Sequence, residues 1–111
     1  MLEDALREQG LDILKVEDLG FVAYKCQQSA DKQDYFSIEN FYLCPDKRSV
    51  TPATKLLESL VVVAKEKAVT FLVWGVANAN PQKESQLLQI LLLGFKVKET
   101  DKQGILFIKQ V

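Results

Sequence analysis

The chain has 111 residues, 48% of them apolar, which is enough to bury one core and too few for two ordinary domains, so a single domain over residues 1–111 is expected. Its 14 Lys and Arg against 15 Asp and Glu leave no basic excess for neutralising a phosphate backbone, which argues against a nucleic-acid partner. Histidine is absent, so Ser-His and Cys-His nucleophile pairs and most transition-metal sites are excluded, and any catalysis must use carboxylates, hydroxyls, backbone groups or water.

No apolar run reaches the ~20 residues that span a bilayer. The opening "MLEDALREQG" carries acids where a signal peptide would be apolar. A soluble, cytoplasmic protein without a membrane partner is the expectation. Cys26 and Cys44 each lie in an apolar run with neither disulfide nor zinc spacing, and they read as reduced thiols buried in the core.

Residues 2–9, "LEDALREQ", form a short helical pattern with Leu2, Ala5 and Leu6 on one face, closed by Gly10. "LDILKVED" and "GFVAYKCQQ" follow as strands joined at Leu19-Gly20, an antiparallel hairpin. After the polar loop Ser29 to Asp34, "YFSIENFYLC" reads as a third strand with Phe36, Ile38 and Tyr42 toward one side, ended by Pro45.

From Thr51 the apolar spacing becomes helical: Ala53, Leu56, Leu57, Leu60, Val61 and Ala64 share a stripe, with Thr51 as N-cap and Pro52 as first helical residue. "AVTFLVWGVANAN" suits a strand buried on both faces. Pro81 then opens a helix whose stripe is Leu87, Leu88, Leu91 and Leu92, capped by Gly94, and the chain ends in a hairpin with "DKQG" as its turn. The order predicts an α/β (α+β) fold. A mixed, mostly antiparallel central sheet is flanked by helices, with one parallel strand-helix-strand unit between Tyr35 and Val76.

The turn "PDKRSVTP" lies at the carboxyl end of the third strand, where ligands bind in such sheets. Two readings are open for it. It is a solvated loop with an ordinary N-cap, or it holds an anion on the first amides of the helix, those of Ser49, Val50, Thr51, Ala53 and Thr54, with Lys47 and Arg48 adding positive charge.

The run from Ile38 to Phe95 resembles the core of the GNAT superfamily of N-acetyltransferases. "LCPDKR" is similar to the family's V-x-P-x-x-R strand end, and "RSVTPA", Arg48 to Ala53, to its R/Q-x-x-G-x-G/A helix opening, with Thr51 in place of the first glycine. Gly94-Phe95 match its closing Y-x-x-x-GF segment, with Ile90 where the tyrosine stands.

The resemblance implies acetyl-CoA as cofactor and an amine acceptor. The pyrophosphate would lie on Arg48, Ser49, Val50, Thr51, Ala53 and Thr54, and the pantetheine along Phe41, Tyr42 and Leu43. Gly75 and Ala77, ahead of Asn78 and Asn80, would line an opening between the core strands. Glu39 would be the base that deprotonates the amine. The missing tyrosine, which protonates the leaving thiolate in many members, and the shortened N-terminal elements imply the alternative: a non-catalytic GNAT-fold module binding a protein partner or itself, with an exposed sheet edge through which it would form a homodimer.

Overall fold

The computed structural model describes residues 2–111; the side chains of Leu2 and Leu6, expected on the buried face of the first helix, lie outside the described residues. The elements are α1 (Leu2–Glu8), β1 (Asp12–Val16), β2 (Gly20–Gln28), β3 (Asp34–Leu43), α2 (Val50–Glu66), β4 (Phe71–Ala77), α3 (Lys83–Leu92), β5 (Lys96–Thr100) and β6 (Gly104–Gln110). They build a six-stranded sheet in the order β1-β2-β3-β4-β6-β5. Among the described residues only β3 and β4 pair in parallel, because α2 carries the chain back across the sheet between them. The other neighbours are antiparallel.

Both long helices feed one core. Ala53, Leu56, Leu57, Leu60 and Ala64 of α2 and Ile90 of α3 join Val22, Phe36, Ile38, Leu72, Trp74, Val76 and Phe107 from the sheet. These strand residues alternate along their strands and so share a face. The α2 stripe matches the spacing in the sequence; Val61 is half-buried at its margin. Tyr24 stacks in a tilted contact on Phe36 within this core. Burial pushes its phenol above the usual pKa, with Asp12 and Cys26 adding to the shift, so the ring stays neutral.

Pairing between β2 and β3 slips by one residue between Ala23 and Tyr24: Tyr24 faces Ile38 while Ala23 faces Asn40, leaving Glu39 as the extra residue of a bulge. The slip reverses the alternation. Phe41 pairs with Val22 and so turns to the helix side, whereas Tyr42 pairs with Phe21 and stacks on it at 5.3 Å on the opposite face. Tyr42 therefore does not share a side with Phe36 and Ile38, as strict alternation would require.

Two helix starts differ from the sequence expectation. The N-cap of α2 is Ser49 in extended conformation, two positions ahead of Thr51, so Pro52 sits at the third helical position; there too the missing N–H has no partner to lose. Helix α3 begins at Lys83 with Gln82 as N-cap, and Pro81 precedes it.

The buried side of α3 is Ile90, with Leu93 just beyond; Leu88, Leu91 and Leu92 are exposed at 61%, 50% and 57%. A Schellman closure selects that face. Phe95 N–H donates to Ile90 C=O and Gly94 N–H to Leu91 C=O, with Gly94 at φ +91°, which draws the buried Phe95 over Ile90. The cysteines are also corrected: Cys26 is exposed because it lies on the outer stretch of β2, and Cys44 is half-buried at the end of β3.

Helix α2 ends in the same motif, with Ala68 N–H on Lys65 C=O and Val69 N–H on Ala64 C=O, but the left-handed position is held by an alanine at φ +57°. A Cβ in that conformation is strained. Ala68→Gly is expected to raise stability by about 0.5–1 kcal/mol, since relief of the strain exceeds the added flexibility of the unfolded chain. The check is a urea titration in which the midpoint rises at unchanged slope.

Candidate ligand cleft where the parallel strands part

The β3–β4 ladder runs from Tyr35/Phe71 to Ile38/Trp74 and stops there, although β3 continues to Leu43 and β4 to Ala77. Beyond that point the two strands diverge, and the β4-facing backbone edge of β3 is left without a strand partner. The bulge at Glu39 sits at the point of divergence and bends β3 away.

A cleft of about 560 Å³ opens on the helix side of this fork. Its walls come from three places: Phe41, Tyr42 and Leu43 at the end of β3; Arg48, Ser49 and Val50 entering α2; and a face of α3 carrying Gln86, Leu88, Gln89 and Leu92. The α3 wall was not legible beforehand, because Leu88 and Leu92 read as core. Its only prior signal was the glutamines at 82, 86 and 89, which recur at helical spacing among the leucines.

Arg48 is held by two contacts. Its Nε donates to Leu43 C=O at 3.1 Å, and its guanidinium lies 5.4 Å from the Tyr42 ring centroid. Tyr42 is in turn stacked on Phe21, so the cation is backed by two rings and needs little further ordering to meet an anion. The strand end is fixed from behind as well, where Cys44 N–H donates to Leu19 C=O at 2.9 Å.

The helix entry offers fewer amides than the sequence suggested. Ser49 N–H donates to Lys47 C=O and Ala53 N–H to Ser49 C=O, and Pro52 has none, which leaves the amides of Val50 and Thr51 as first-turn donors without an intrahelical acceptor. Ala53 is fully buried, and the Thr54 hydroxyl donates back to Val50 C=O at 2.8 Å, so neither faces the cleft. Thr51 is exposed beside the entry and is not part of its wall.

Asn78 and Asn80 are spent on the β4–α3 connection. Asn78 Nδ2 donates to Lys102 C=O and its Oδ1 accepts from Lys83 Nζ; Asn80 Nδ2 donates to Gln86 Oε1 and its Oδ1 accepts from Gln82 N–H. They shape the cleft's far end through α3 and do not line it. Glu39 is exposed, and the Ser37 hydroxyl donates to its Oε1 at 3.2 Å. Ser37 alternates with the buried Ile38, so this carboxylate belongs to the sheet face opposite the helices, across the fork from the cleft. Ile90 is fully buried in the core and reaches neither side of the fork.

No protein-family model and no curated protein matches the chain. Solved structures do. A GNAT-family acetyltransferase from Listeria monocytogenes superposes with a TM-score of 0.70 over 98% of this chain and 69% of its own, at 11% identity. The PaiA N-acetyltransferase of Thermoplasma acidophilum, in complex with coenzyme A, gives 0.63 over 99% and 68% at 22% identity. A GNAT-family acetyltransferase from Elizabethkingia anophelis with acetyl-CoA bound gives 0.66 over 99% and 82% at 17% identity. The chain thus spans about two thirds of the length of the first two.

Gly20 packs under the strand end that carries Tyr42 and Leu43, and a Cβ there would collide with the Tyr42 carbonyl oxygen. Gly20→Ala is expected to lower stability by about 2–3 kcal/mol, because backbone has to move and the rear wall of the cleft moves with it. Thermal unfolding followed by circular dichroism checks this, and a loss within about 0.5 kcal/mol would mean that the wall is not rigid there.

Proposed function

The chain has the GNAT-superfamily fold, and on that premise we propose that it binds a CoA-type cofactor, acetyl-CoA foremost, and transfers its acetyl group to an amine. One observation carries the reading: the parallel ladder ends at Ile38/Trp74, so the β3 edge from Glu39 to Leu43 has no strand partner beside the α2 entry, with the Leu43 C=O held by Arg48.

The residues present fit such a group. Arg48 and the Val50 and Thr51 amides supply positive charge for phosphates at one end. The free strand edge offers backbone donors and acceptors to an amide-bearing arm, in the manner of an added strand. Leu88 and Leu92 give apolar contact, and Gln86 and Gln89 give neutral hydrogen-bonding groups along the third wall. The cofactor itself brings an activated thioester.

The chain's part in the transfer is to orient and to move protons. Glu39, across the fork, accepts a proton from an incoming ammonium group, and the Ser37 hydroxyl holds its carboxylate in place. Backbone N–H groups freed where β3 leaves β4 are the donors available to a developing oxyanion. The buried Ile90 puts no proton donor at the position of the family's tyrosine, so solvent serves the leaving thiolate. That same observation favours the second reading, a binding module of this fold without catalysis, acting on a protein partner or on itself.

CoA at ~100 times its dissociation constant should stabilise the protein by about 2.7 kcal/mol, visible as a rise in Tm. No shift at millimolar CoA removes the cofactor. Arg48→Glu, confirmed folded, is expected to weaken CoA binding tenfold or more in a calorimetric titration. Glu39→Gln should lower acetyl transfer by about 10²–10⁴-fold with CoA affinity unchanged, and equal turnover would exclude Glu39 as the base.

A further inference from the structure

The aromatic pair at the apex of the fork bears on which acyl group the cleft accepts. Phe41 is half-buried and forms part of the cleft wall, with its ring tilted against Trp74 at 4.9 Å between centroids. Trp74 is only 8% exposed, is not part of that wall, and meets Phe95 edge-on at 5.8 Å. The Phe41 ring therefore stands between the cleft and the indole. Trp74 thus belongs to the helix-side core with Val76, while Gly75 between them faces the other side of the sheet.

We propose that Phe41, backed by Trp74 and Phe95, sets the length of the acyl group that the cleft admits and restricts it to short chains. The proposal rests on the CoA-type reading above and adds to it the residue that selects among acyl donors. The direction of the ligand follows from the charges. A polyanionic end belongs at Arg48 and the α2 entry, so a ligand lying along β3 passes Leu43 and Tyr42 before meeting Phe41, about 7 Å further along at 3.3 Å per residue. Its acyl end then runs toward Phe41 and Trp74. The packed ring leaves no continuation in that direction, and chain beyond an acetyl must displace it.

Replacing the benzyl side chain by methyl opens the cleft onto the indole face and its apolar surroundings. Each added methylene buried there is worth about 0.8 kcal/mol, or roughly fourfold in affinity. Butanoyl-CoA, with two methylenes more than acetyl-CoA, is thus expected to gain up to ~15-fold relative to acetyl-CoA in Phe41→Ala.

The test is calorimetric titration of CoA, acetyl-CoA, butanoyl-CoA and hexanoyl-CoA into the parent, Phe41→Ala and Phe41→Leu, each checked for folding by circular dichroism. Should Phe41→Ala fail to fold, Phe41→Leu retains most of the apolar packing and still shortens the barrier. The expected result is a parent that prefers acetyl-CoA over the longer thioesters, and variants in which the butanoyl-to-acetyl affinity ratio rises so that the preference weakens or inverts. A butanoyl-to-acetyl ratio equal in parent and folded variants, with CoA bound by all, overturns the role of Phe41 and leaves the cofactor reading intact. Absence of CoA binding to the parent overturns both.

Discussion

Everything at the cleft follows from the shortness of one ladder. Parallel strands joined through a helix ordinarily pair along most of their length, since unpaired backbone groups must otherwise find water or side chains. Here β3 and β4 pair only from Tyr35/Phe71 to Ile38/Trp74. The bulge at Glu39 bends β3 before it can follow β4 further, and the same bulge turns Phe41 inward and Tyr42 outward. A local irregularity therefore does three things at once: it opens the fork, places an aromatic plug at its apex and puts a carboxylate on the other face.

The walls of the fork are held by contacts that would be hard to move singly. Arg48 clamps the carbonyl of Leu43 and stacks over Tyr42, which rests on Phe21. Gly20 lets β2 approach the same strand end closely. On the opposite side, the asparagines of the β4–α3 connection and the Schellman closure at Gly94 fix both ends of α3, so its glutamines and leucines face the cleft with a defined phase. The site is thus built from the ends of regular elements, each closed by its own hydrogen bonds.

The cleft and the Glu39 carboxylate lie on opposite sides of the sheet. The helix side carries the α2 entry with its two free amides and the apolar α3 wall, and Arg48 closes the strand end against the Tyr42 ring; the other side carries Glu39 with Ser37. A ligand that bridges them must pass the gap where the ladder stops. This division explains why binding and proton transfer are expected to respond to different residues, Arg48 for the first and Glu39 for the second.

Hydrophobic periodicity in the sequence was sufficient for the element order, the stripe of α2, the doubly buried β4 and the fold class, because burial of an apolar face is a local pattern repeated along the chain. The stretch from Lys47 to Thr54 was legible as an anion site, one of two readings open for it, because helix entries carry free amides whatever surrounds them. Other features had no local signature. The bulge at Glu39 depends on how β2 aligns with β3, so the side taken by Phe41 and Tyr42 could not be read from alternation. The phase of α3 was ambiguous because "LLQILLL" is apolar all round, and only its closure by Gly94 and Phe95 against Ile90 chose the buried face. Asn78, Asn80, Ala53 and Thr54 were polar or small residues near the right place, and the tertiary structure alone decided that their groups are taken up by neighbouring backbone, side chains or core. Sequence determines which segments must bury themselves; register and closure, which depend on contacts between distant segments, decide which groups are left over to face a ligand.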